Sequence, residues 1–375
     1  MASLQGKIDQ QQANHLNKTG GTILCMNVPS KIFFGIDYLT FETGPKFKGV
    51  KMIPPGPHFI HTSVQSAERM GFFIHIKSKQ INVYEWDASL KCLTDFQDKE
   101  QAERLRLGVE HFDFDSNLGS YPLQTHAKWQ RLSCHITPPL IAKLGPTAGI
   151  IPSTYSEIKQ IQQPAEAQAT EQDTDEEMKG NEEEDKREQE KTLNDKYLCA
   201  KSKFEHYHPK YSAIPQMKSF KHLKPADLTA LQMDRSKILY DVLNRYYKED
   251  ETELVGEMQY AFVCLLVGQS VQGLEQWKNI IDLITNCEDA IMEKASFYEK
   301  FIDALVFQLK ELPKDFFRDE LTNKNFLNQS LQSLMEIANE SQLNTSLSDK
   351  IQTLNNLLLK RFNKTFDLEG DGPTV

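Results

Sequence analysis

The sequence predicts an α+β protein, with an N-terminal β-rich sandwich domain followed by a C-terminal all-α helical domain. Three observations lead there. Up to about residue 150, short apolar runs alternate with Gly and Pro punctuation, the pattern of strands joined by turns. From Asp227 onward the apolar period changes to 3.6, and one helical stripe follows another. Between them lies a charged stretch almost without apolar side chains. With 375 residues, 39% of them hydrophobic and 10% aromatic, the chain can bury sizeable cores, which excludes a wholly disordered protein.

Residues 1–21 read as a polar extension rich in Gln and Asn, with no apolar stretch of signal-peptide length. Residues 22–160 read as the sandwich domain. Strands are expected over 22–28, 33–36, 58–62, 70–76 and 81–86, and partial alternation over 72–76 and 81–85 buries one face. Pro54, Pro55 and Pro57 cannot donate to a sheet ladder, so 54–57 is a turn or crossing. After Lys99 the pattern is helical through Ala102, Leu105 and Val109, and a second short helix includes Trp129 and Leu132.

Residues 161–195 read as an acidic, disordered linker. Residues 171–191 hold 11 acidic and 4 basic side chains, so most of the net charge of −10 comes from one segment. Overall acidity is therefore no guide to partners. Residues 196–226 read as an extended arm in which seven Lys and one Glu interleave with Tyr197, Phe204, Tyr207, Tyr211 and Phe220. Basic charge with aromatics suits contact with single-stranded RNA, and that reading stands as an alternative. An arm that packs on a domain or a partner, through Tyr207 and Tyr211, is the other.

Residues 227–364 read as six helices. The first carries Leu228, Leu231, Ile238, Val242 and Tyr246; the second, 254–267, is apolar nearly all round after Gln259. Trp277 marks the third and belongs to its core stripe. A fourth runs from Ile291 through Tyr298 and Phe301 to Leu309, and Pro313 closes it. Leu331 and Leu334 mark the fifth, Ile351 and Leu358 the sixth. No repeat of 20–50 residues is apparent. Residues 365–375 read as a flexible tail whose apolar anchors are Phe366 and Leu368.

A search for chemistry returns no catalytic, cofactor-binding or metal-binding residue. Gly44 and Gly49 are spaced like a phosphate loop, but Val50, Lys51 and Met52 follow where Lys and Ser or Thr are required. His58 and His61, three apart on a strand, fall on opposite faces. Cys199, His206 and His208 lack a fourth ligand and match no zinc spacing. Cys134 and His135 are neighbours in sequence, which does not make a nucleophile–base pair. Asp37, Glu42 and Glu68 could form a carboxylate pair, but nothing positions them. Six scattered cysteines without a C-x-x-C pair point to reduced, packed thiols inside a cell. The longest apolar run, 260–267, is far below the roughly 20 residues that span a bilayer, so no membrane contact is expected.

The stretches Phe34-Gly-Ile-Asp-Tyr38, the sixteen residues from Gly44 to Phe59, and Met70-Gly-Phe-Phe73 closely resemble the Aar-two family of splicing factors. Gly256-Glu-Met-Gln-Tyr-Ala-Phe-Val-Cys-Leu-Leu266, Trp277-Lys278 and Leu312-Pro-Lys-Asp-Phe-Phe317 look like the same family at the expected distances. The polar extension, the acidic linker and the short tail depart from it. The resemblance implies a sandwich followed by a helical domain, no catalytic residues and no cofactor. It implies an assembly factor of the U-five small nuclear ribonucleoprotein, found in cytoplasm and nucleus. Such a factor binds the spliceosomal scaffold Prp-eight at its RNase H-like domain and, through the tail, its Jab/MPN domain. That occupancy holds off the Brr-two helicase.

Two rigid domains on a flexible tether would then grip one target, the tether raising the effective concentration of the second contact. Within the N-terminal block, Gly35, Gly44, Gly49 and Gly56 are expected at turns, and Phe34, Phe47, Met52, Ile53 and Phe59 in the core. The charged side chains Asp37, Lys46, Lys48 and Lys51 are the candidate partner contacts, together with Tyr207, Tyr211, Phe366 and Leu368.

Overall fold

A computed structural model of the protein describes residues 10–64, 69–153, 205–220, 222–314, 316 and 326–363. The expected linker 161–195 and tail 365–375 lie outside them. Helix α1 (Gln10–Thr19) forms within the segment read as a polar extension. Among the described residues ten strands follow in two sheets: β1 (Gly21–Met26), β2 (Ile32–Ile36), β3 (Leu39–Glu42), β4 (Gly49–Ile53), β5 (Gly56–Val64), β6 (Met70–Ile76), β7 (Ile81–Asp87), β8 (Cys92–Asp95), β9 (Leu118–Ser120) and β10 (Ile151–Pro152). The first sheet has the order β8-β7-β1-β4-β9 and mixes parallel and antiparallel pairs. The second, β10-β6-β5-β2-β3, is antiparallel throughout.

The inner faces meet as a sandwich. Ile23, Cys25, Val50, Ile53 and Tyr84 of the first sheet pack against Phe34, Ile36, Ile60, Ile74 and Ile76 of the second. Outside the first sheet, α2 (Lys99–Glu110) brings Leu105 and Val109 onto Leu24, Val83 and Leu118. The Asp98 carboxylate caps α2 by accepting from Glu100 N and Gln101 N, both at 3.0 Å. Gly49 sits at φ +129° in β4, where a Cβ would come within 1.9 Å of Ile23 O across the ladder. It is a strand residue that permits close pairing, where the sequence reading expected a turn.

Helices α3 (His126–Ser133) and α4 (Pro138–Leu144) lead out of the sandwich. Helix α4 was not expected from the sequence; it opens on Pro138 and Pro139, and Pro is well suited to the first helical positions. The C-terminal part contains α5 (Pro225–Met233), α6 (Ser236–Tyr247), α7 (Glu251–Leu266), α8 (Val271–Ile284), α9 (Glu288–Glu293), α10 (Ala295–Glu311), α11 (Phe326–Glu340) and α12 (Thr345–Phe362). Eight helices thus stand among the described residues where six were expected. The first expected helix breaks at Asp234, whose Oδ1 accepts from Ser236 N, Ser236 Oγ and Glu288 N. That side chain offers the backbone a better partner than helix continuation does. The fourth breaks at Lys294, which leaves helical geometry at φ −119°, ψ 45°. Trp277 lies fully buried in the helical core, as expected. None of the described helices is long and apolar enough to cross a membrane.

The layout of a sandwich followed by helices is as expected, but the two parts pack directly on each other. One hydrophobic core runs from the outer face of the second sheet through α3 and α4 into the helices. It joins Phe59, Phe73, Trp129, Leu132 and Leu140 to Val255, Tyr260, Trp277 and Phe301. The Phe73 ring stacks on Tyr260 with centroids 4.0 Å apart. Arg69 Nη1 donates to Val267 O at 2.5 Å, and Lys128 pairs with Glu311 at 2.5 Å. Periodicity finds an apolar face but does not say what covers it, so the joint was invisible in the sequence.

A shared core should unfold as a unit. Calorimetry of the full chain is expected to show one endotherm spanning both parts. Phe73→Ala, which deletes the stacked ring, should lower stability by about 3–5 kcal/mol. Two well-separated endotherms in the unaltered protein would contradict the joint.

Candidate functional site

The two family-like blocks are each held by a buried polar cluster. In the first, Asp37 follows β2 at φ +54°, a left-handed value that Asp tolerates. Its backbone N–H donates to Phe59 O at 2.9 Å, and its carboxylate turns inward. Oδ1 accepts from Phe59 N at 2.9 Å, while Oδ2 accepts from Tyr121 OH at 2.5 Å and from His58 Nδ1 at 2.7 Å. The other ring nitrogen of His58 donates to Pro54 O at 2.7 Å. A carboxylate and a carbonyl both only accept, so both ring nitrogens carry protons and His58 is a cation. Trp129 stacks over that ring at 6.5 Å and donates its Nε1–H to Pro57 O at 2.7 Å. The expected crossing 54–57 is confined to Pro54 and Pro55, since β5 starts at Gly56, and it is thereby clamped from both sides.

Asp37 is 1% exposed, as is His58, so the expectation of Asp37 as a surface contact is corrected. A charge at a hairpin tip usually faces water, but here three donors supplied by β5 and by the segment after β9 draw it inward. Burial works to lower the His58 pKa. The Asp37 carboxylate, its hydrogen bond and that to Pro54 O outweigh burial and raise it above the ordinary 6.5. His61, on the opposite face of β5, behaves in the other sense: burial, and then the nearby Arg69 charge, lower it to about 3.

The second cluster centres on Glu257, which is fully buried in α7. Oε1 accepts from Ser212 N at 2.9 Å, Ser212 Oγ at 2.9 Å and Gln276 Nε2 at 2.7 Å; Oε2 accepts from Tyr247 OH at 2.5 Å. These bonds fasten the segment 205–220 onto α6, α7 and α8. The same turn of α7 reaches the sandwich side as well. Gln259 Oε1 accepts from His135 N at 2.8 Å, and a Cβ on Gly256 would lie 2.3 Å from His135 O. Only glycine allows that approach.

The remaining candidates divide. Lys46 is exposed, Lys48 half-buried with Nζ 4.9 Å from the Phe114 ring centroid, and Lys51 ion-paired with Asp115. Asn117 ties this group together, donating from Nδ2 to Lys46 O at 2.8 Å and accepting at its backbone O from Lys48 N at 3.0 Å. The three lysines therefore share one border of the first sheet. Tyr207 is buried beside Met70, Cys92 and Ile150, and Tyr211 packs edge-on against Tyr260 at 6.1 Å. Burial, followed by Cys264 and Tyr260, raises the Tyr211 hydroxyl well above its ordinary value. Both tyrosines face protein, which corrects their reading as partner contacts and removes them as stacking platforms for RNA. Phe366 and Leu368 lie outside the described residues, as does Cys199. Among the described residues, no group of three or more His, Cys, Asp or Glu is placed to hold a metal ion.

His58, Tyr121, Ser212 and Glu257 were missed as fixing residues. The available signal was a polar residue inside an otherwise apolar block, as Glu257 is between Val255 and Met258. Neither cluster reaches solvent; both hold backbone in place.

Asp37→Asn should cost about 3–5 kcal/mol, because it strands a buried cation. Because the folded-state pKa of His58 is raised, its stabilising contribution is complete below about pH 6.5 and fades as pH rises through the folded value. In urea titrations, the stability gap between the unaltered protein and His58→Gln should shrink accordingly with rising pH. Glu257→Ala leaves several buried donors unpaired at about 1–3 kcal/mol each. Trypsin should then cleave after the exposed Lys210 faster than in the unaltered protein.

Comparison with known proteins fits this layout. The AAR2 N-terminal domain matches residues 19–146, and the AAR2 C-terminal repeat region matches 211–367. Protein AAR2 homolog of Homo sapiens is 31% identical over 376 residues, covering 98% of this chain and 95% of its own length. Its counterpart in Caenorhabditis elegans is 29% identical over 378 residues, covering 97% and 99%, and that of Mus musculus 31% over 392 residues. With both parts matched and similarity running through nearly its whole length, the chain belongs to the AAR2 family.

Proposed function

We propose that this chain is a non-enzymatic assembly chaperone of U-five snRNP biogenesis and pre-mRNA splicing, working in cytoplasm and nucleus. It occupies the RNase H-like domain of the Prp-eight scaffold and, through the segment bearing Phe366 and Leu368, its Jab/MPN domain. Occupancy keeps the Brr-two helicase off until maturation. Membership of the AAR2 family supports a role in splicing and snRNP assembly, and it is the observation that carries this reading.

The physical side rests on rigidity. A protein that works by occupying a surface needs a fixed shape of its own, and the shared core joins sandwich and helices into one body. Avidity from a tether between two lobes is not required. Pre-formed surface lowers the ordering entropy lost on binding. The border with the exposed Lys46 and the half-buried Lys48 supplies positive charge to such a contact, which would speed encounter with an acidic face.

Direct competition tests the proposal. A scaffold fragment containing both domains is immobilised, loaded with the helicase and titrated with this protein. Dose-dependent loss of helicase is expected, and Lys46→Glu with Lys48→Glu should weaken the chaperone mainly through a slower association rate. Simultaneous binding without mutual loss, or no complex with the fragment, would overturn it.

A further inference from the structure

A groove of about 640 Å³ opens between α5, α6 and the end of the segment 205–220. Its volume falls within the roughly 300–1,000 Å³ of ligand-binding sites. Leu223, Leu231, Ile238 and Val242 form an apolar floor. Helix α5 makes one wall, and none of its nine residues is buried; Met233 at its end is 72% exposed. An apolar helix that buries none of its own residues is an unfinished piece of packing.

The α6 wall carries a charge pattern. Lys237, Asp241 and Arg245 follow one another at intervals of four residues and all line the groove. At 1.5 Å per residue they lie about 6 Å apart, covering about 12 Å of wall. Spacing of four would allow them to pair along the helix. They do not: no ion pair or side-chain hydrogen bond among the described residues engages any of the three. The wall therefore offers plus, minus and plus, each free for an incoming group, beside an apolar trough.

We propose that this groove is a docking site for an amphipathic helix of a protein partner. That helix bears acidic, basic and acidic side chains at i, i+4 and i+8 next to its apolar stripe. A helix repeats its side chains at the same 6 Å interval as the wall, so the three charges match three charges in register. The pattern reads the same in both directions, so either helix orientation satisfies it. An added β-strand would need unpaired backbone groups, which helical walls do not present. A nucleic-acid backbone would bring phosphates against Asp227 and Asp241, which both line the groove.

The experiment uses the full chain and two fluorescein-labelled, Ala-based 16-residue helical peptides. Both carry Leu at i, i+3 and i+7; one has Glu-Lys-Glu and the other Lys-Glu-Lys at i+1, i+5 and i+9 beside the stripe. Charges on the far face equalise their net charge. Fluorescence anisotropy should show the Glu-Lys-Glu peptide binding at least tenfold tighter. The exposed-charge variant Lys237→Glu, Asp241→Lys, Arg245→Glu should reverse that preference while circular dichroism stays unchanged. Leu231→Asp should weaken both peptides. Equal affinity for the two peptides, a preference that survives the charge reversal, or no binding of either would overturn the proposal. Tighter binding of a labelled oligo-uridine than of the peptides would overturn it too.

Discussion

One turn of α7 fixes how everything else is arranged. Between Gly256 and Tyr260 the helix touches three structures at once. Gly256 and Gln259 meet the backbone of His135 on the sandwich side, Glu257 holds Ser212 of the connecting segment, and Tyr260 stacks on Phe73 of β6. A helix exposed on any face could not do this. Burial on every side is what makes α7 a hub, and it explains why an acidic residue is tolerated there. Four hydrogen bonds replace the water that the Glu257 carboxylate gives up.

The Asp37–His58 cluster does for the sandwich what Glu257 does for the joint. Buried charge adds little net stability, because desolvation consumes most of the attraction. Its effect is on geometry. The carboxylate and imidazolium accept and donate in fixed directions, so β2, β5 and the proline-rich crossing have one arrangement that satisfies all partners. A misplaced strand would strand a charge. Polar networks of this kind make a backbone unique once every member is paired.

Because the helical core includes the outer face of the second sheet, surfaces on the sandwich and on the helices keep a fixed relation. A chaperone of the proposed kind gains from that, since a partner would meet one pre-shaped face and not two bodies in search of it. The fasteners along 205–212 work to the same end: His206 O accepts from Ala148 N, Lys210 N donates to Leu144 O, and Ser212 sits on Glu257. What looked like a basic arm is, over its described part, a strap lying in a seam between the two halves. Aromatic side chains that composition alone assigns to a partner are used up in closing it.

Sequence alone determined which stretches are apolar and at what period, hence the strands β1, β2, β5, β6 and β7, helices α2, α3, α7 and α8, the buried Trp277 and the family-like blocks. These follow from local patterning, which the chain carries wherever it is cut. Short strands such as β8 and β9, with four and three residues, carry too little pattern to be read that way. Only the tertiary structure decided that Asp37 points inward, that helices break at Asp234 and Lys294, and that the helical core extends onto the outer face of the second sheet. Each of those outcomes depends on partners far along the chain, Tyr121 for Asp37 and Glu288 for Asp234 among them. A residue's local pattern states what it can bury or bond; which distant group comes to meet it is settled when the chain closes on itself.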